Sequence, residues 1–174
     1  MMTAIIYTTN TGNTAGYAKL LSEETGLPYY SLEEAKKRLP AQTEVIYLGW
    51  IMASEIKGYK AANSRYIIRA ACAVGMGETG AQVDEVRKRN KISEATPLFT
   101  LRGGFDVKKL HGIYKVMMQV MVKTAGKALE AKKDRTEEED IMLEMMQHGG
   151  NYVCYKNLND VIEWYRKTRI LSVV

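Results

Sequence analysis

Residues 3–22 read TAIIYTTNTGNTAGYAKLLS, and the succession of residue types within them decides the fold. Thr3 to Thr9 is β-branched and aromatic, the composition of a buried strand. From Thr14 onward Ala15, Ala18 and Leu21 fall at helical spacing, with Tyr17 and Leu20 less regular. Between the two lies a turn of small residues, with four threonines, two asparagines and two glycines from Thr8 to Gly16. Strand, small-residue turn and helix start together aim several backbone N–H groups along the positive end of a helix dipole, an arrangement that suits a phosphate. Gly12 lets the backbone approach closely, the hydroxyls of Thr9, Thr11 and Thr14 add donors, and Asn10 and Asn13 can cap or donate. The first lysine is Lys19 and no GxxxxGK[ST] follows, so a triphosphate with Mg²⁺ is not expected. The site predicted here takes a single phosphate with neutral donors. The alternative is a turn that does no more than cap the first helix.

Moving outward, Gly26-Leu27-Pro28 ends the first helix, and Tyr29 to Leu32 reads as a short second strand. Ser31-Leu32-Glu33-Glu34 resembles a capping box opening a short helix that Pro40 terminates. Glu44 to Gly49 is continuously apolar after its first residue, as a strand covered on both faces should be. A helix near Tyr59 to Arg65, a strand at Tyr66 to Val74, the loop GMGETG (75–80), a helix near Ala81 to Arg89 and a fifth strand in LFTLRGG (98–104) complete the series. Strands alternating with helices predict right-handed βαβ units, a mostly parallel sheet and helices on both faces. Ligands of such sheets sit beyond the carboxyl ends of the strands, where strand order reverses.

The latter half changes character. Ile113, Val116, Met117, Val120 and Met121 recur at helical spacing while Lys115, Lys123 and Lys127 lie off that stripe, which is a basic amphipathic helix. The stripe is expected to be core or interface, and its lysine flanks also fit a peripheral membrane helix. Thr136 to Gln147 reads as a second, acidic helix capped by Thr136 and closed by Gly149-Gly150. NYVCY (151–155) looks like a short strand, and Asn157 to Asn159 caps a last helix containing Val161, Ile162, Trp164 and Tyr165.

The chain's 174 residues, 46% hydrophobic and 26% charged, fit one domain, 1–174, with a sizeable core. No apolar run approaches the ~20 residues of a membrane span and no signal peptide opens the chain, so a cytoplasmic location is expected. Cys72 and Cys154 lie in apolar runs without metal or disulfide spacing and read as reduced core thiols, and His111 and His148 suggest no metal site. The net charge of +5 is concentrated between residues 61 and 134, which hold 14 Lys and Arg against 7 Asp and Glu. Such a face suits an anionic membrane, an acidic partner or nothing at all. No aromatic ladder or nucleic-acid motif accompanies it, so no nucleic acid is expected.

Thr9-Asn10-Thr11-Gly12-Asn13-Thr14, directly after the first strand, resembles the T-x-T-G-x-T loop of flavodoxins. The resemblance implies a doubly wound five-stranded parallel α/β sheet of order 2-1-3-4-5, with this loop holding the phosphate of FMN. It further implies two loops flanking the flavin ring: Trp50, Ile51 and Met52 after the third strand, and Gly75, Met76 and Gly77 after the fourth. Residues 97–127, PLFTLRGGFDVKKLHGIYKVMMQVMVKTAGK, followed by a separate C-terminal helix, are similar to the branch that includes the menaquinone-dependent protoporphyrinogen oxidases. In that branch a long amphipathic segment, here a helical insertion over 106–150, precedes the last helix. A redox partner or quinone is then expected, with peripheral membrane contact through 108–133. Arg102 is placed to steer an anionic substrate or balance a reduced flavin, or else to form a surface salt bridge.

GMGETG also matches G-x-G-x-x-G, with Glu94 further on, but the dinucleotide fingerprint belongs in the first βα turn and too few βα units follow it. Two classes of function therefore stand beside each other. One is an FMN-dependent oxidoreductase; the other is a flavodoxin-type electron carrier without its own substrate. A flavin-free flavodoxin-like interaction module is the third reading. The basic charge and the long insertion depart from the acidic pattern of carriers, and no nucleophilic triad stands out.

Overall fold

The computed structural model describes residues 2–105, 110 and 112–171. Among the described residues eight strands appear in chain order: β1 (Ala4–Thr8), β2 (Tyr29–Ser31), β3 (Glu44–Met52), β4 (Glu55–Ile56), β5 (Ile67–Gly75), β6 (Leu98–Arg102), β7 (Gly104–Phe105) and β8 (Gly150–Asn151). The helices are α1 (Asn13–Thr25), α2 (Leu32–Arg38), α3 (Tyr59–Asn63), α4 (Val83–Asn90), α5 (Gly112–Met121), α6 (Lys127–Ala131), α7 (Glu137–His148) and α8 (Asn159–Leu171).

The central sheet runs β2-β1-β3-β5-β6, all parallel, with β4 attached antiparallel to the end of β3. It is thus six-stranded and mostly parallel, not the five-stranded sheet expected. The extra strand arises because β3 continues through Trp50 to Met52, read from the sequence as a loop, and turns back. Ala53 and Ser54, with φ of 48° and 62°, make that two-residue hairpin turn. Positive φ at both central positions matches the twist of the flanking strands, but Ala-Ser carries none of the Asn-Gly signature that announces such turns.

Alternate residues of the strands feed two cores. Ile5, Ile46, Leu48, Cys72 and Leu101 pack against Tyr17 and Leu21 of α1 and Val161 and Tyr165 of α8. On the other face Ile6, Tyr47 and Ala71 meet Leu32 of α2, Tyr59 of α3 and Val86 of α4. The helices follow their capping chemistry: Ser31 and Glu34 close a reciprocal capping box on α2, and Thr136 and Glu139 do the same for α7.

The segment between β6 and α8 departs from expectation in three places. NYVCY is not a strand beyond Asn151, because Val153 reaches the core by lying against Gly16 of α1 instead of along a sheet edge. Cys154 is consequently exposed, not a core thiol; Cys72 is buried, and burial pushes its thiol up to about 12. Of the apolar stripe expected to be covered, Ile113, Val116, Met117 and Val120 are exposed, while Tyr114, Met118 and Met121 turn inward. Helix α5 is apolar over so wide an arc that periodicity alone could not choose which edge is buried. Residues 106–109 and 111 of the expected insertion, including Lys108, Lys109 and His111, lie outside the described residues. Among the described residues no helix is long and apolar enough to cross a membrane.

Candidate functional site

Where β1 ends, the Thr8 hydroxyl donates to the Tyr47 hydroxyl at 2.8 Å, and Tyr47 in turn donates to the Lys57 carbonyl at 2.6 Å. This chain fixes the end of β1 to the segment that follows β4. Burial raises the Tyr47 pKa above the ordinary phenol value, so the donor stays protonated. The chain then turns through Thr9 to Gly12, whose N–H donates to Thr9 Oγ1 at 3.1 Å. Gly12 sits at the N-cap of α1 with φ of 104°, a conformation that disfavours any side chain. As a result the first turn of this 13-residue helix has no side-chain cap and no acidic residue. Its orphan N–H groups and positive dipole end are left to an external acceptor. Beside them Asn13 Nδ2 is buried with no acceptor, an unpaired donor of the kind a bound anion relieves.

This turn forms one wall of a cavity of about 580 Å³ at the carboxyl ends of β1, β3, β5 and β6. Its volume falls in the range of small-molecule sites, roughly 300–1,000 Å³. Thr9, Asn10, Thr11, Asn13 and Thr14 line one side, Trp50, Ile51 and Met52 a second, and Gly75, Met76 and Gly77 a third. Three segments far apart in sequence, each expected to contribute, are therefore brought together.

Neighbouring elements hold these walls. Asn90 of α4 donates to the Ser54 carbonyl at 2.8 Å and accepts from the Ile56 N–H at 2.8 Å, clamping the β3–β4 hairpin, and Ser54 donates to the Glu85 carboxylate. A Cβ on Gly75 would come to 3.2 Å from Ile51 Cδ1, a tight contact, so the second and third walls lie close together at this glycine. The 76–82 loop is tied to β6 through the Arg102 N–H on Thr79 Oγ1 at 3.0 Å and the Thr100 hydroxyl on the Ala81 carbonyl at 2.7 Å.

Two expected residues are not among those lining the cavity. Gly12 shapes the turn from outside. Arg102 is engaged elsewhere: its guanidinium donates to Glu138 of α7 and lies 5.9 Å from the centre of the Tyr152 ring, with Nε buried and unpartnered. Its role here is the salt-bridge alternative, and it joins β6 to the insertion.

The cavity's roof went unread in the sequence. Tyr114, Met117, Met118 and Met121 descend from α5 and Met142 and Met146 from α7, while Tyr114 packs edge-on against Trp50 with ring centroids 5.1 Å apart. The one available signal was compositional, since six of the chain's ten methionines fall between 117 and 146. Thioether side chains adapt to irregular apolar surfaces and sit favourably against aromatic rings.

No family model matches this chain, and no curated protein matches it either.

Chemically, the site combines a donor-rich turn at one end with an apolar chamber at the other. It suits a ligand that is anionic at one terminus and flat and apolar at the other. Among the described lining residues Glu78 and Tyr114 are the ionisable ones, and no acid, base and nucleophile among them stand in mutual reach.

Proposed function

We propose that the protein is a flavodoxin-like FMN-binding oxidoreductase. The observation that carries the reading is the uncapped N-terminus of α1, where orphan N–H groups, threonine hydroxyls and the unpaired Asn13 amide face the mouth of an apolar cavity. The fold supports it: the five parallel strands counted without the short β4 follow the order 2-1-3-4-5 of the flavodoxin-like architecture, with the turn after the first strand at the switch point. In this reading Thr9 to Thr14 hold the FMN phosphate and Trp50 to Met52 and Gly75 to Gly77 flank the ring.

Bound FMN supplies hydride or single-electron transfer. The chain's own part is to fix the phosphate by neutral donors, to keep the ring between the Trp50–Met52 and Gly75–Gly77 walls, and to exclude water with the methionine roof. That roof favours an enzyme acting on a largely apolar reactant, such as a quinone or a reduced, methylene-bridged tetrapyrrole resembling protoporphyrinogen, over a carrier. A carrier must bring its ring edge to a protein partner, whereas here α5 and α7 line the approach.

Titrating FMN into the purified protein tests the cofactor: fluorescence quenching and a shifted flavin absorbance are expected. Gly12→Asp should abolish binding, since it forces a side chain into a left-handed position and puts a negative charge at the N-cap, beside the orphan N–H groups that would hold the phosphate. Absence of quenching in the parent protein, or unchanged affinity in the variant, refutes the phosphate site. Protoporphyrinogen oxidation with a menaquinone analogue then separates enzyme from carrier, and turnover no faster than free FMN rejects the oxidase.

A further inference from the structure

In the cavity's second wall, Ile51 is packed against the sheet core that also holds Ile6, Tyr47 and Val86. Trp50 is supported differently. It follows Ile46 and Leu48 at alternate positions of β3 and so shares their face of the sheet, but it lies beyond the carboxyl end of the core they form with α1 and α8. Its side chain lines the cavity, and among the described residues its one aromatic neighbour is Tyr114 of α5.

The two ring centroids are 5.1 Å apart with planes at 85°, the edge-to-face arrangement that aromatic pairs prefer. Tyr114 is itself held from behind. Beside Met118 and Ile141 it packs against the small third core of Leu110 and Met145, and Met145 of α7 is fully buried. Helix α7 is in turn closed by the Thr136–Glu139 capping box and tied to β6 by Glu138 and Arg102. Contacts therefore run from β6 through α7 and Tyr114 to an indole that the two sheet cores do not enclose. We propose that Tyr114 is a positioning residue of the cavity, fixing the Trp50 indole in the orientation that receives the flat ring of the ligand, a proposal that rests on the FMN reading for the identity of that ring. An indole free to turn must be ordered when a ring binds, and that ordering costs affinity; an indole already fixed is spared it. The contact is between rings and does not use the phenol hydroxyl, so phenylalanine should serve in place of Tyr114.

The test uses the full chain carrying Trp164→Phe, a change on α8 outside the cavity that leaves Trp50 as the one tryptophan. Time-resolved fluorescence anisotropy of the ligand-free proteins should show Trp50 tumbling with the whole molecule in the parent and in Tyr114→Phe, whereas Tyr114→Ala should add a fast component of nanoseconds or less. FMN titration of the same proteins should give a Kd raised about three- to tenfold by Tyr114→Ala, the worth of one aromatic pair, and within about twofold of the parent in Tyr114→Phe. On a Trp50→Leu background, Tyr114→Ala should raise Kd by no more than about twofold, because the indole it positions is gone. Three results overturn the proposal: Trp50 anisotropy in Tyr114→Ala that matches the parent, an equal loss of FMN affinity with and without Trp50, or an equal loss in Tyr114→Phe and Tyr114→Ala. A parent protein that binds no FMN defeats the cofactor reading instead, and the ligand-free anisotropy then decides by itself whether Tyr114 holds Trp50.

Discussion

Removing the Glu138 carboxylate should loosen the cavity's roof from the sheet. Arg102 is anchored at the end of β6 with a side chain only 14% exposed, whereas Glu138 on α7 is 45% exposed. Glu138→Ala therefore leaves a largely buried guanidinium without its counter-charge. Its cost should lie between the ~0–1 kcal/mol of exposed pairs and the ~3–5 kcal/mol of breaking a buried one, at about 2 kcal/mol. Arg102→Met leaves a half-exposed carboxylate that water can reach, but it also gives up the contact with the Tyr152 ring, and about 1–2 kcal/mol is expected. Because both variants remove the same interaction, the double variant should fall short of their sum by about 1 kcal/mol. Urea unfolding of the four proteins measures this coupling, and hydrogen exchange at the amides of Met142 to Met146 locates it. Faster exchange there, together with faster FMN release from the Glu138→Ala protein, is the expected pattern. Additivity within about 0.3 kcal/mol, with α7 exchange unchanged, would refute the role of Arg102 as the tie between sheet and roof.

Two further outcomes follow from the same geometry. Gly103→Ala would drive a methyl group into Val74 and to 3.4 Å from the Asn13 Cβ; a loss of about 1–3 kcal/mol in urea unfolding and weaker FMN binding are expected. Tyr17 donates to the Arg102 carbonyl and accepts from Asn157 Nδ2 at 2.7 Å, so Tyr17→Phe should cost about 1–2 kcal/mol at neutral pH. Burial pushes the Tyr17 hydroxyl from its ordinary 10 up to about 12. A raised pKa of this kind stabilises fully below pH 10 and fades as pH rises through 12, so the stability gap between parent and Tyr17→Phe should hold to pH 10 and then narrow. A gap that stays constant through that window would show that the hydroxyl is not buried as described.

The parallel sheet was legible because its information is local and redundant. Ala4 to Thr8, Glu44 to Gly49 and Ile67 to Val74 are apolar runs separated by helical periodicity, and βαβ chirality leaves few ways to assemble them. The donor-rich turn before α1 was legible for the same reason: a small-residue turn between strand and helix is written in six consecutive residues, Thr9 to Thr14. The β3–β4 hairpin was not, because Ala53 and Ser54 adopt left-handed conformations that their residue types do not advertise; Asn90, some 36 residues on, helps to hold them.

The sequence by itself therefore determined the succession of the five parallel strands and the helices between them, the donors of the first turn and the three segments that converge on one end of the sheet. Only the tertiary structure decided which edge of α5 faces inward, that Arg102 binds Glu138 instead of the cavity, and that the methionines of α5 and α7 roof the site. The reason is physical: α5 is apolar around more than half its circumference, so the choice of buried edge rests on contacts with Trp50 and α7 that are remote in the chain, and no local pattern can encode them.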